Sequence, residues 1–222
     1  MNIDRPFKDR RDAGAVLAGR ITGYRGDCVV LALPRGGVPV GYEVARRIGA
    51  PLDVFIVRKL GVPGHPELAM GAIASGGTRV LNQGVIDKLD VPPPVVEAIT
   101  ADEMREVTRR EVSYRGDLAP VGVAGRSVIL VDDGLATGAS MRAAIQALRG
   151  QRPAKITVAV PTGSPITCRE LSRYADEVIC AIEPADFYAV GQWYEDFTQT
   201  EDAEVQRLLR MAREESATRL VS

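Results

Sequence analysis

Apolar positions along this chain fall into two rhythms, short continuous runs and longer stretches at helical spacing. Residues 9–22 place Ala13, Val16, Leu17 and Ile21 on one helical face, predicting an amphipathic opening helix. "CVVLAL" (28–33) is a short apolar run that ends at "PRGG", and "VPVGYEVARRIG" (38–49) then reads as a helix stopped by Gly49. "LDVFIV" (52–57) predicts a second buried strand, followed by the polar, Gly- and Pro-punctuated "RKLGVPGHPEL", read as an irregular loop. "MGAIA" (70–74) and "TRVLN" (78–82) flank "SGG" and predict a hairpin.

Residues 94–114 form a charged, mostly helical segment. Beyond it, strands are expected at 128–131, 155–160 and 177–183, and helices at 139–149, 164–174 and 201–213. Apolar strands alternating with helices of this length predict an α/β fold: a mostly parallel central sheet with helices on both faces. Neither a repeat nor a linker divides the chain, so residues 1–222 read as one domain, with a helical insertion near 84–114. The mixed charges of that insertion suit a solvated face or a surface for a second subunit.

Composition narrows the function. Lys and Arg number 28 against 29 Asp and Glu, a net charge of −1, so no basic surplus draws nucleic acid or an anionic membrane surface. The three cysteines, Cys28, Cys168 and Cys180, lack CxxC or metal-type spacing and read as reduced core thiols. His65 is the sole histidine, which leaves a Ser-His-Asp triad or a multi-histidine metal site almost no material. The charged start "MNIDRPFKDRRDAG" lacks the apolar run of a signal peptide, and no stretch has the length of a membrane span, so a cytoplasmic location is expected.

The chemistry gathers in "VILVDDGLATGAS" (128–140). A buried strand there delivers two adjacent carboxylates, Asp132 and Asp133, which repel each other and are costly to bury without donors or a cation. A sugar diol supplies two hydroxyls, and a divalent cation offsets the charge. The following turn offers free helix-start amides beside the Thr137 and Ser140 hydroxyls, an anion cradle. Carboxylates for a diol followed by a phosphate nest describe a ribose 5-phosphate.

This stretch resembles the signature of the type I phosphoribosyltransferases, which bind phosphoribosyl pyrophosphate (PRPP); Ala139 stands where many members carry a second glycine. The resemblance implies a Rossmann-like type I fold with a small hood, here expected within 183–222. It also implies transfer of the 5-phosphoribosyl group to a nitrogenous base, a purine-like one among the candidates, with release of pyrophosphate and help from Mg²⁺ (Mn²⁺ as a substitute). On that reading Asp132 and Asp133 hold the ribose hydroxyls, and Gly134, Ala136, Thr137, Gly138, Ala139 and Ser140 surround the ribose 5-phosphate. Arg35, Gly36 and Gly37 correspond to the pyrophosphate loop, often built on a cis peptide. Arg58 and Lys59 stand where the mobile loop begins, suited to the leaving pyrophosphate, with His65 and Glu67 further along it. "IEPADFYAVGQWYEDF" (182–197) is similar to the base-binding end of hypoxanthine-guanine members: Tyr188 stacks on the base, the Ala189 backbone reads its edge, and Glu195 approaches the metal. No lysine follows Lys155, where the residue that reads a purine oxo group would fall, so the acceptor stays open. Family members are commonly dimers, which implies a homodimer.

Two other classes compete. One is a regulator that keeps the PRPP pocket without catalysing transfer. The other uses Asp132 as a phosphoryl acceptor; it wants acids on several strand ends with a lysine partner, and leaves Thr137-Gly138 unexplained.

Overall fold

The computed structural model describes residues 6–24, 27–116 and 118–221, the side chains of 66, 67, 220 and 221 excepted. Strands β1 (Cys28–Ala32), β2 (Leu52–Val54), β6 (Ser127–Val131), β7 (Lys155–Thr162) and β8 (Glu177–Ile182) form a parallel sheet in the order β2-β1-β6-β7-β8. β1 pairs with the central β6 from Cys28↔Ser127 to Ala32↔Val131. Because side chains alternate across a strand, Val128 and Leu130 enter one core while Ile129 and Val131 enter the other. Helices α1 (Arg10–Ala18), α2 (Gly37–Ile48) and α7 (Asp202–Val221) cover the face that holds Ile129. Helices α5 (Ala139–Gly150) and α6 (Pro165–Leu171) cover the opposite face. Burial on both faces explains why these strands read as unbroken apolar runs.

The structure corrects the expectation between β2 and α5. The run 52–57 is not one strand: β2 ends at Val54, and β3 (Val57–Val62) turns into a second sheet. The stretch 58–68, expected to be irregular, is an antiparallel hairpin of β3 with β4 (His65–Ala74), and β5 (Thr78–Leu81) completes the order β3-β4-β5. Glycine and proline mark its turn and its register shifts near Gly61 rather than the absence of strands. The expected pairing of 70–74 with 78–82 is present.

After a short α3 (Gln83–Lys88), α4 (Pro93–Arg115) lays Val96, Val107 and Tyr114 into the same core as Leu60, Met70 and Ile73 of the second sheet. The insertion therefore lays one face into the core, while the charges of Asp102, Arg105 and Arg109 stay exposed on the other, the solvated face that was expected. Its end is fixed by a buried ion pair: Arg115 donates from Nε to Asp53 Oδ1 at 2.8 Å and from Nη2 to the Val54 carbonyl at 2.9 Å.

Four smaller expectations also change. The opening helix is shorter than 9–22, and the last helix runs on to Val221. Only part of 183–222 reaches toward the C-terminal end of β6; α7 packs against α2, α4 and β2. Cys168 and Cys180, expected to be reduced, are joined in a disulfide between α6 and β8, whereas Cys28 is a buried free thiol as anticipated.

Candidate functional site

The odd residues of 128–140 converge where β6 ends. The backbone N–H of Leu33 donates to the Val131 carbonyl at 2.8 Å, so the chain leaving β1 runs beside the chain leaving β6. The Pro34–Arg35 peptide bond is cis, and Gly36 and Gly37 then lead into α2. A side chain at either glycine would collide with the acids: a Cβ on Gly36 would overlap the Asp133 carboxylate, and one on Gly37 would lie 2.9 Å from Asp132 Cα and 2.8 Å from the Val131 carbonyl. Two distant motifs thus share one close contact.

The acids themselves are treated differently. Asp132 Oδ1 accepts the Asp133 backbone N–H at 2.8 Å. Burial, and then the neighbouring Asp133 charge, push its carboxyl well above the usual range. Asp133 already has a cation: Arg10 Nε donates to its Oδ2 at 2.9 Å. Arg10 also donates from Nη1 to the Thr198 carbonyl at 2.7 Å, and its guanidinium lies 4.0 Å over the Phe197 ring. The Tyr194 hydroxyl donates to the Asp133 carbonyl at 2.6 Å. Burial, followed by the Asp133 charge, raises the pKa of that phenol.

The loop beyond is held from α6. Leu135 donates to the Thr162 carbonyl at 2.9 Å and accepts from Ser164 at 3.0 Å, while Thr167 Oγ1 donates to the Ala136 carbonyl at 2.7 Å. Gly138 adopts φ +67°, a left-handed geometry that glycine takes without strain. It caps α5, whose first amides have no acceptor inside the helix. Ala139 N–H reaches Thr137 Oγ1 at 3.4 Å. Thr137, Ala139 and Ser140 are exposed, and Gly134 is buried against Val190.

The remaining anticipated residues are scattered. Arg35 is half-buried, with Nη1 3.6 Å from Asp202 Oδ1. Arg58 is turned away to Glu103 of α4, at 2.6 Å. Lys59 is exposed and shares a cleft of about 550 Å³ with Ala139 and Ser140. His65 opens β4 with its side chain exposed, and the Glu67 side chain lies outside those described. Tyr188 is 84% exposed and Ala189 is exposed beside it. Glu195 is exposed, its backbone N–H donating to the Phe7 carbonyl at 2.8 Å. Among the described residues Glu195 belongs to no group of metal-ligating atoms; the one such group is Cys168, Cys180 and Glu183, whose sulfurs are joined to each other.

The phosphoribosyl transferase domain matches residues 10–197. The chain belongs to this family. Two proteins of Mycobacterium tuberculosis, from strains CDC 1551 and H37Rv and each named "Putative phosphoribosyl transferase", are 46% identical over 212 residues, covering 95% of this chain and 48% of theirs. The chain thus spans about half the length of these curated relatives. The "Bifunctional protein PyrR" of Chloroflexus aurantiacus is 32% identical over 129 residues, 57% of this chain and 65% of that protein. The solved structure of TT1426 from Thermus thermophilus superposes with a TM-score of 0.83 at 42% identity, covering 92% of this chain and 97% of that one.

Within this phosphoribosyl transferase domain, sequence reading missed the residues that surround the acids from a distance. Arg10 and Tyr194 lie 123 and 61 positions from Asp133. Phe7 packs on Tyr194 with ring centroids 5.6 Å apart. Their only signal was weak: an arginine on the opening helix, and aromatics gathered in 182–197. Arg142, which lines the cleft beside Ser140, carried no signal beyond its place on α5.

Proposed function

We propose that the protein transfers the 5-phosphoribosyl group of PRPP to a small nitrogenous base and releases pyrophosphate. The observation that carries this reading is the contact of Gly36 and Gly37 with Asp132 and Asp133. It brings the double-glycine turn against the pair of acids, with the start of α5 following them in the chain, and PRPP would lay its pyrophosphate, ribose diol and 5-phosphate along that path. Asp132 and Asp133 would accept from the ribose hydroxyls, and the turn from Gly134 to Ser140 would hold the 5-phosphate. Arg35 and Lys59 would meet the pyrophosphate. Tyr188, exposed beside Ala189, is available to stack on an incoming base.

The transition state proposed is a ribosyl oxocarbenium ion, which asks for charge and position more than for proton transfer. Asp132 suits that role: it is a half-buried acid whose ionisation is disfavoured until a donor or positive charge arrives. Arg10 holds Asp133 against Phe197 and Thr198, which fixes the angle of the second acid before substrate enters.

Magnesium fits as the partner of the pyrophosphate rather than as a resident of a protein cage. The described residues gather no nest of three carboxylates, and Mg²⁺ is commonly held by one or two carboxylates plus substrate phosphates. Glu195 would be its protein-side oxygen, and the ion would neutralise the leaving group. The test is calorimetry with PRPP and Mg²⁺ on the double variant Asp132→Asn, Asp133→Asn, alongside a transfer assay against purines, pyrimidines and smaller nitrogen heterocycles. Loss of PRPP binding with the fold intact is expected; unchanged affinity defeats the assignment. PRPP binding without transfer to any base would instead make the protein a sensor.

A further inference from the structure

We propose that Cys168 and Cys180 form a thiol–disulfide exchange site whose oxidised state holds the turn from Gly134 to Ser140 in shape for a 5-phosphate. The effect on the phosphate rests on the transfer reading above; the exchange chemistry does not. The pair joins α6 to β8 and includes none of the residues assigned above to PRPP.

Helix α6 has seven residues, a length at which a helix is marginal without outside support. It buries Thr167, Cys168 and Leu171. Two of its bonds reach the turn: Thr167 Oγ1 donates to the Ala136 carbonyl at 2.7 Å, and Ser164 N–H, at the helix start, donates to the Leu135 carbonyl at 3.0 Å. Packing there is close, since a Cβ on Gly138 would lie 2.6 Å from Thr167 Cγ2. The next residue, Cys168, ties the helix covalently to β8. Breaking that tie frees α6, and the turn bonded to it, to shift together while the rest of the sheet stays formed.

The pair is also placed for exchange. β8 is an edge strand of the parallel sheet and Cys180 on it is half-buried, whereas Cys168 is 5% exposed. A thiolate of a small dithiol therefore attacks Cys180 Sγ. A new S–S bond forms there, and the electron pair of the old bond leaves on Cys168 Sγ, which takes up the proton that the attacking thiol lost. The second thiol of the reductant then displaces Cys180, giving two cysteine thiols and the cyclic disulfide of the reductant. Glu183 restrains the reverse step. Its carboxylate lies within 4.8 Å of both sulfurs, and a negative charge there opposes the thiolate needed to close the bond again.

The experiment compares the protein oxidised with hydroxyethyl disulfide and the same protein reduced with dithiothreitol in the absence of denaturant. Thiols are then trapped by alkylation in denaturant and counted by mass: one is expected in the oxidised form, from Cys28, and three in the reduced form. Hydrogen exchange without ligand should quicken on reduction in 134–140 and 164–171 and stay the same in 28–32. By calorimetry with Mg²⁺, the reduced protein should bind PRPP at least about fivefold more weakly, and Cys180→Ser should match it under either treatment. Glu183→Gln, once reduced, should close its disulfide with hydroxyethyl disulfide about threefold faster or more. A pair that yields only in denaturant, equal exchange of 134–140 in the two forms, or equal PRPP affinity in both would each overturn the proposal. An unchanged closing rate in Glu183→Gln removes the restraint assigned to that carboxylate. If PRPP binds neither form, the transfer reading fails, and hydrogen exchange alone decides whether the pair governs the turn.

Discussion

Gly36 and Gly37 are neighbours with opposite vulnerabilities. Gly36 has ordinary helical angles, φ −59° and ψ −33°, so alanine meets no backbone penalty there. Its Cβ would meet no main-chain atom, only the ends of the paired Asp133 and Arg10 side chains. Gly36→Ala should therefore fold, with Tm within about 2 °C of wild type, and bind PRPP at least about tenfold more weakly by calorimetry. At Gly37 the obstacles are main-chain atoms of Val131 and Asp132, which cannot step aside. Gly37→Ala should cost about 2 kcal/mol in denaturant unfolding through overpacking. If both variants lost only stability, the glycines would be spacers and not part of a site. The double glycine was legible in the sequence as a turn; that it abuts the twin aspartates was not, because almost a hundred residues separate the two motifs.

At the scale of elements, α4 is tied to the edge strand β2 by the buried Asp53–Arg115 pair, which are 1% and 6% exposed. Asp53 Oδ2 also accepts from Val121 N–H at 2.9 Å, so the same carboxylate pins the chain that leaves α4. Arg115→Met strands that carboxylate and should cost about 3–5 kcal/mol in urea unfolding. A loss under 1 kcal/mol would mean that water reaches the pair. The junction of β7 and β8 carries a pH dependence. Asp176 accepts from Arg149 at 2.9 Å and from Ile156 N–H at 2.7 Å, with Arg149 the main reason its carboxyl lies below the ordinary 3.8. A depressed folded pKa gives stability that is present above 3.8 and is lost as pH falls through the folded value. Asp176→Asn should thus lower Tm at neutral pH, and its melting curve should converge on wild type as the pH falls below the depressed folded pKa of Asp176. The strands and helices of the parallel sheet were legible because periodicity and burial agree in them. The β3–β4 hairpin was not: its prolines and glycines are signals of a turn and of an irregular loop alike.

Across the whole molecule, the first described residues and the segment after β8 close on the same acids. Phe7 is 1% exposed, forms a parallel bridge with Tyr194, and donates its backbone N–H to the Trp193 carbonyl at 2.8 Å. Phe7→Ala should cost about 3–5 kcal/mol and also weaken PRPP binding, because it loosens the tyrosine that holds the Asp133 carbonyl. Ile145→Ala, equally buried but in the core beneath α5, should cost stability while leaving PRPP affinity in place; equal losses of affinity in both variants would remove the distinction. From the amino-acid order alone came the α/β class, the family, and the acid pair followed by a glycine turn into a helix, since these rest on patterns a few residues long in which local propensity and burial point the same way. What needed the folded chain was which distant groups meet them. Arg10 on Asp133, Tyr194 on its carbonyl and Arg58 taken by Glu103 are all consequences of how helices and sheets pack. Contacts across such separations leave no periodic trace, because packing selects them by shape and charge after the elements have formed.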